Sequence, residues 1–408
     1  MPLALHWLGE ESHDRIAEAR LRCFATSLRD RAKYCEIIRD DKRAVSGDYL
    51  LAVEDGVDVG TATVQSMAMW VRGGRISCQG VAWVGTIATH RRRAAAPGGG
   101  VASQMMREVL RAARERGQVL SALRPFRASF YEHFGYGLVD RRAAWHLDLA
   151  ALRSGPCEGM RFYQPGDRAD LAACRQRIVE AGQCDIERSP AGWDYWHKNR
   201  QDDFLVVDRS EPSAIRGYLV YQRVTDQGKE LAKVVEMGFE GPEALTRQLA
   251  FLATLRDQFA AASIAVPADL PLNWLLREPQ IPHRAMNHPC AQLAPQTRMQ
   301  IRVIDHKRLI EAMHFPNETR AKFTISVREC EGSTSRFTMD VSDGRATVTP
   351  FAGDADFECP DRVWAAIACG GLSAFDAMRF KLAQCDEQVT RKLAFLTAGP
   401  APFCDESY

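Results

Sequence analysis

The 408-residue chain has almost no net charge: 53 lysines and arginines stand against 52 aspartates and glutamates. Nucleic acid or an anionic membrane surface would call for a basic excess, so neither is expected as a partner. Long apolar runs are missing too; no window approaches the roughly 18–20 residues of a membrane span. The N-terminus turns charged early, at Glu10, Glu11, Asp14 and Arg15, so no secretory leader is expected and a cytoplasmic protein is. Twelve cysteines lack C-x-x-C or paired spacing, which removes zinc and a disulfide framework from consideration and leaves reduced thiols and no metal.

One stretch is rich where the rest is plain. Val84-Gly-Thr-Ile-Ala-Thr-His90 is followed by Arg91-Arg92-Arg93 and then by Gly98-Gly99-Gly100-Val101-Ala102. A β-branched run, three arginines, a glycine loop and an amphipathic helix suit an anionic pyrophosphate through helix N–H groups and guanidinium forks. No Lys-Ser or Lys-Thr follows the glycines, so this is not a P-loop. Arginines stand where a dinucleotide fingerprint would place glycines directly after the strand. What remains resembles the arginine–glycine loop by which acyltransferases hold coenzyme A. Gly85, Thr86 and Ile87, with Arg91, Arg92, Arg93, Gly100, Val101 and Ala102, are the expected coenzyme-binding residues.

The surrounding pattern reads as helices at 9–28 and 30–43, strands at 49–53, 57–64, 67–71 and 76–81, and the strand 82–88 that enters the loop. Helix 101–116 follows, with Val101, Met105, Met106, Val109, Leu110 and Ala113 on one side. A strand at 119–123, a short helix at 129–134 and a strand from Arg142 to Leu149 complete the unit. This is the order of a GCN5-related acetyltransferase domain. From about 155 the order starts again without the arginine loop: helix 169–181, strands at 204–208, 216–224 and 232–239, helix 243–261, and a stretch 265–295 with a final strand and connector. It reads as a degenerate copy that binds no coenzyme. A third unit opens with the strand Met299 to Asp305 and a helix at 306–313. Strands follow at 323–327, 336–341 and 345–350, then helices at 360–369, 373–380 and 386–397.

Three such units resemble the enhanced intracellular survival (Eis) family of N-acetyltransferases. The resemblance rests on Thr89-His-Arg-Arg-Arg93 with Gly100-Val-Ala102, on Phe130-Tyr-Glu-His-Phe-Gly-Tyr-Gly137, on Met299 to Asp305, and on the Pro402-Phe-Cys404 tail. It implies an α+β protein of tandem acetyltransferase domains, with mixed sheets flanked by helices, followed by a sterol-carrier-like domain. The expected boundaries are 1–152, 153–297 and 298–408. It further implies acetyl-CoA as cosubstrate, a cationic small-molecule amine (aminoglycoside- or polyamine-like) or lysine as acceptor, and a homo-oligomer, often hexameric. By the same resemblance Tyr131 is the general acid and the terminal carboxylate of Tyr408 is the base.

The chemistry is coherent. Amine attack on a thioester needs a place for the developing oxyanion, which a splayed strand end at Gly85–Ile87 can offer through its amides. A tyrosine of reference pKa about 10 protonates a thiolate nearer 8.5 at modest cost. A terminal carboxylate of reference pKa about 3.5 needs burial to act as base. Asp40, Asp41, Asp405 and Glu406 are candidates for a cation-binding lining. Tyr136 reads as packing and His133 as a surface residue. The insert Ala94-Ala-Ala-Pro-Gly-Gly99 departs from the family loop, and Pro97 has no N–H to offer. Three outcomes stay open: the insert bulges out and Gly100 keeps its role, Gly98–Gly100 rebuild the cradle, or coenzyme binding is lost. The last would make the protein a scaffold, and an apolar-ligand carrier in the third unit is a further alternative.

Overall fold

The computed structural model describes residues 3–45, 47–91, 99–226, 228–277 and 290–408. Among these residues the backbone forms three mixed sheets. The first runs in the order Ala4–Leu8, Tyr49–Glu54, Val57–Val71, Gly74–Thr86, Leu120–Leu123, Gln300–Val303 and Gly137–Leu138, with Asp185–Ile186 added beside Val57–Val71. The second runs Ala291–Gln296, Arg142–Asp148, Ala261–Pro267, Lys229–Phe239, Gly217–Asp226, Phe204–Asp208 and Met160–Phe162. A five-stranded sheet built on Ala321–Arg328 and Thr334–Ser342 makes the third. The α+β class with two acetyltransferase-like units and a third α+β unit is thus present.

Each of the first two sheets is antiparallel except for one parallel pair. Cys78–Val81 pair with Leu120–Leu123 in the first, and Leu231–Lys233 with Ala261–Ser263 in the second. In each the earlier strand continues where the pairing stops, so a gap opens. The expected internal repeat is visible in this shared device.

Helix Val101–Glu115 packs across the first sheet. Val101, Met105, Met106, Val109, Leu110, Ala112 and Ala113 are buried, the spacing of one helical face. Gly60 lets it sit close: a Cβ there would lie 2.9 Å from both Met105 and Val101 side chains.

Two strands go elsewhere than the sequence order suggests. Arg142–Asp148, expected to close the first unit, lies in the second sheet between Ala261–Pro267 and Ala291–Gln296. Gln300–Val303, expected to open the third unit, lies in the first sheet between Leu120–Leu123 and Gly137–Leu138. Periodicity identifies a strand but carries no information about its partner. All four residues of Gln300–Val303 are buried, and the buried Arg302 meets Glu329 and Glu331, so this strand fastens the third unit to the first. Helix Pro190–Asn199, capped by the Ser189 hydroxyl, was not foreseen; its tryptophans and glycine disguise the helical period.

Candidate active site

The first gap begins after the Val81–Leu123 pair, where Leu120–Leu123 ends and Gly74–Thr86 runs on. Ala82 to Gly85 are partly exposed in a strand that is otherwise well buried. The register slips here: Thr63 faces Ala82, but Thr61 faces Gly85. Two residues, Trp83 and Val84, therefore oppose one, which is a β-bulge, and Trp83 takes φ +55°. A left-handed tryptophan costs energy that its surroundings must offset. Its ring meets Phe24 at 5.5 Å and lies 4.6 Å from the guanidinium of buried Arg20, which donates to Thr63 Oγ1 at 2.7 Å.

The bulge decides which amides are free. Ile87 donates its N–H to Val59 O at 3.0 Å, so this expected donor is committed to the sheet. Gly85 points the same way by strand alternation, which turns Val84 and Thr86 toward the gap. Gly85 has a different constraint: a Cβ there would come within 2.5 Å of Phe24. Arg91 is also engaged structurally, donating to Thr86 O at 2.9 Å and to Cys23 O at 2.8 Å at the end of helix His13–Phe24. Arg92, Arg93 and the insert as far as residue 98 lie outside the described residues. Gly99 at φ +83° and Gly100 lead into helix Val101–Glu115, whose N-cap carries no side-chain hydrogen bond and whose first turn carries no acid. The Val101 and Ala102 N–H groups stand among the helix's first donors, which intrahelical bonding leaves open to an anion.

Tyr131, on the short helix Ala128–Glu132, is buried beside Phe130, Phe134 and Tyr136 in the cluster that contains Val81 and Leu123. Burial pushes its hydroxyl up to about 12, so it stays protonated at neutral pH, as a general acid must. Tyr136 is fully buried and bonded to Ser121 Oγ at 2.7 Å, a packing role as expected. His133 is exposed and its Nδ1 lies 2.7 Å from Ser129 O.

The tail comes to the other face of the same strands. Gly80 and Val81 are neighbours and so point to opposite faces. Val81 faces the Tyr131 cluster, whereas a Cβ on Gly80 would lie 2.9 Å from the Tyr408 ring. The Arg124 guanidinium sits 5.9 Å from that ring's centroid, at the end of the second strand of the pair. Tyr131 and the Tyr408 ring thus lie on opposite faces of the sheet, next to the point where the two strands part.

Four arginines hold the tail, and nothing in the residue pattern marks them out. Arg43 donates to Ser407 O, Arg124 to Cys404 O and Glu406 O, and Arg142 to Cys404 O at 2.7 Å and to Asp405 at 2.6 Å. Buried Arg188 bridges Glu406 at 2.7 Å and Glu236 at 2.9 Å. Burial works against ionisation of Glu236, but Arg188, Arg175 and hydrogen bonds from Tyr218 and Trp196 overcome it and hold the carboxyl at about 2. Cavities of about 470, 430 and 240 Å³ share Ser407 in their linings.

The expected acidic lining is electrically spent. Asp41 pairs with Arg43 at 2.7 Å, Asp405 with Arg142, Glu406 with Arg188, and Asp40 with Lys198 away from the tail. A carboxylate on a pocket wall is readable from sequence, but its neutralising partner from another unit is not.

The second gap differs. Glu240 stands just before helix Gly241–Thr254, gripped by Arg177 at 2.6 Å and Arg216 at 3.1 Å. Pro242 and Glu243 occupy its first turn. A carboxylate and a residue without N–H thus take the positions where phosphate would sit.

Comparison with known proteins agrees with this geometry. Acetyltransferase (GNAT) domain models match residues 6–139 and 184–303, and a sterol carrier protein domain model matches 306–405. The N-acetyltransferase Eis of Mycobacterium tuberculosis is 25% identical over 388 residues, covering 88% of this chain and 89% of the relative. An uncharacterized N-acetyltransferase of Streptomyces griseus is 25% identical, covering 83% of each. Among solved structures, Eis1 from Mycobacterium abscessus aligns over 100% of both chains with TM-score 0.80 at 18% identity, a likeness of fold. With the bulged gap, the open helix terminus and the docked tail in these positions, the chain belongs to the GCN5-related (GNAT) N-acetyltransferases and is similar to Eis along most of its length.

Proposed function

We propose that acetyl-CoA enters the first gap from the side of helix Val101–Glu115, and that a primary amine reaches the same gap from the side of the tail. The observation that carries this reading is the opposition of Tyr131 and Tyr408 across the strands that part at Val81 and Leu123. The amine nitrogen forms a bond to the thioester carbonyl carbon and the C–S bond breaks. Val84 and Thr86 amides favour the transient oxyanion. The Tyr131 hydroxyl gives its proton to the departing thiolate, and the Tyr408 carboxylate takes the proton the amine loses.

Support for a single coenzyme site comes from the carboxylate and proline at the second helix terminus. The carrier alternative finds no support, because the third unit fills its own interior with Phe337, Phe357 and Trp364. Of the acceptor classes that the resemblance implies, aminoglycosides, polyamines and lysine are tested directly. Acetyl transfer from acetyl-CoA is followed on that panel with the protein, with Tyr131→Phe, and with a form extended by one residue after Tyr408. Turnover by the unaltered protein that is lost in both altered forms supports the roles of acid and base. Turnover unchanged in either removes that residue from the reaction.

A further inference from the structure

The cavity of about 430 Å³ lies between the tail and the second gap, with Ser407 in its wall. Its charge is one-sided. Two carboxylates line it, Glu236 and Asp405, and both are already bonded to arginines, at 2.9 Å and 2.6 Å. Of the cations, Arg142 is engaged with Asp405, and Arg200 with Asp203 at 3.0 Å. Arg124, Lys233 and Arg298 remain, and none has a carboxylate partner among the described residues. Arg124 meets backbone carbonyls and the Tyr408 ring. Arg298 is destabilised as a cation by burial and then by Arg124 and Arg142, with Asp405 and Asp140 opposing more weakly. A second observation points the same way. In the adjoining cavity, which shares Arg200, Glu236, Asp405 and Ser407, the Arg188 side chain is 1% exposed, yet its Nη1 is buried without a hydrogen-bond partner. A concavity in which cations outnumber the carboxylates, with a guanidinium nitrogen left unbonded beside it, fits an oxyanion, which accepts forked hydrogen bonds.

We infer that the acceptor is a primary amine that also carries an oxyanion, a carboxylate or phosphate, and that Arg298 and Lys233 hold this group while the amine end reaches Tyr408. The inference rests on the acetyl-transfer reading and sharpens it. Ser407 lines the cavity and precedes Tyr408 directly, so the cavity adjoins the end of the tail. The same field repels polycations, so polyamines are poor acceptors.

The test uses ω-amino carboxylates of increasing chain length against their carboxamides, and ω-amino alkyl phosphates against the corresponding alcohols. Both kcat/KM and calorimetric Kd are measured for the protein, Arg298→Gln and Lys233→Gln. Neither residue is part of a hydrophobic core, so neither substitution opens one. A charge-assisted hydrogen bond predicts about tenfold or greater preference for the anionic member of a pair. That preference falls toward unity in the variants, and comparison of the two pairs tells which oxyanion is preferred. Acetylation that favours the neutral members or spermidine overturns the inference and leaves acetyl transfer standing. A preference that both variants retain overturns the assignment, as does a weakened acetyl-CoA Kd in place of a weakened amine Kd. If no amine is acetylated, the acetyl-transfer reading fails, and the calorimetric comparison still decides whether the cavity selects oxyanions.

Discussion

In both the first and the second sheet a strand outruns its parallel neighbour, Gly74–Thr86 beside Leu120–Leu123 and Lys229–Phe239 beside Ala261–Pro267. Past the first gap lies a helix whose opening turn has glycines before it and no acid in it. Past the second lies a helix that begins with Gly241 and Pro242, carries Glu243 in its opening turn, and has the clamped carboxylate of Glu240 just before it. Tail residues Phe403 and Asp405 line a cavity of about 440 Å³ beside this second gap. The backbone device is shared, so capacity for a coenzyme is set by the few groups at the helix terminus and in the gap. The second unit has turned its copy into a seat for the tail that serves the first.

Substitutions at matched places sharpen this contrast. The largest effect is expected at the tyrosines. Tyr131→Phe lowers kcat by about 10²–10⁴-fold with the acetyl-CoA KM little changed, as loss of a general acid requires. Tyr218→Phe, in the second unit, removes a buried hydrogen bond to Glu236 and costs about 1–3 kcal/mol of stability instead. Steady-state kinetics and denaturant unfolding of the two variants separate these outcomes; a kcat loss in Tyr218→Phe alone would reverse the assignment of units.

Next in size is Glu236→Gln, which leaves Arg188 without one of its two carboxylates and costs about 3–5 kcal/mol at neutral pH. The sign with pH follows from a folded-state value of about 2 against an unfolded value of about 4.3. The depressed pKa contributes stability in full above the unfolded value, and this contribution is lost as pH falls toward 2. The gap in unfolding free energy between the protein and the variant should therefore narrow below about pH 4.3.

A smaller effect comes from giving the first helix the acid that the second carries. Ser103→Glu places a carboxylate in the first turn, which favours the helix itself while repelling phosphate. It should weaken acetyl-CoA binding by up to about tenfold, corresponding to at most about 1.4 kcal/mol. The least effect is expected from removing the clamped carboxylate before the second helix: Glu240→Gln leaves Pro242, Glu243 and the tail in place, so the number of acetyl-CoA molecules bound per chain should not rise.

Much of this organisation could be read from the residues themselves. The helical face of Val101, Met105, Met106, Val109, Leu110 and Ala113 and the repeated strand order are properties of local periodicity. Tyr131 came from a short motif, and its buried position beside the gap is compatible with the role implied for it. What escaped reading depends on contacts between distant segments. The exchange of Arg142–Asp148 and Gln300–Val303 between sheets is a choice of partner, which alternation does not encode. Trp83 gave no sign of its bulge, because the left-handed turn is held by Arg20 and Phe24 from a helix some sixty residues earlier. Arg43, Arg124, Arg142 and Arg188 are scattered along the sequence and become one clamp only when distant regions converge on the tail. The run Arg91–Arg93 drew attention as a phosphate fork, but Arg91 is turned to backbone carbonyls. That change of role arises from where helix His13–Phe24 ends.

The most direct test of the account is the stoichiometry of acetyl-CoA binding, measured by calorimetric titration of the full chain and of Ser103→Glu. One site per chain, weakened in the variant, is the predicted result. Two sites per chain, or a single site insensitive to the variant, would contradict the division of labour between the two gaps, and no binding at millimolar coenzyme would contradict the enzyme reading itself.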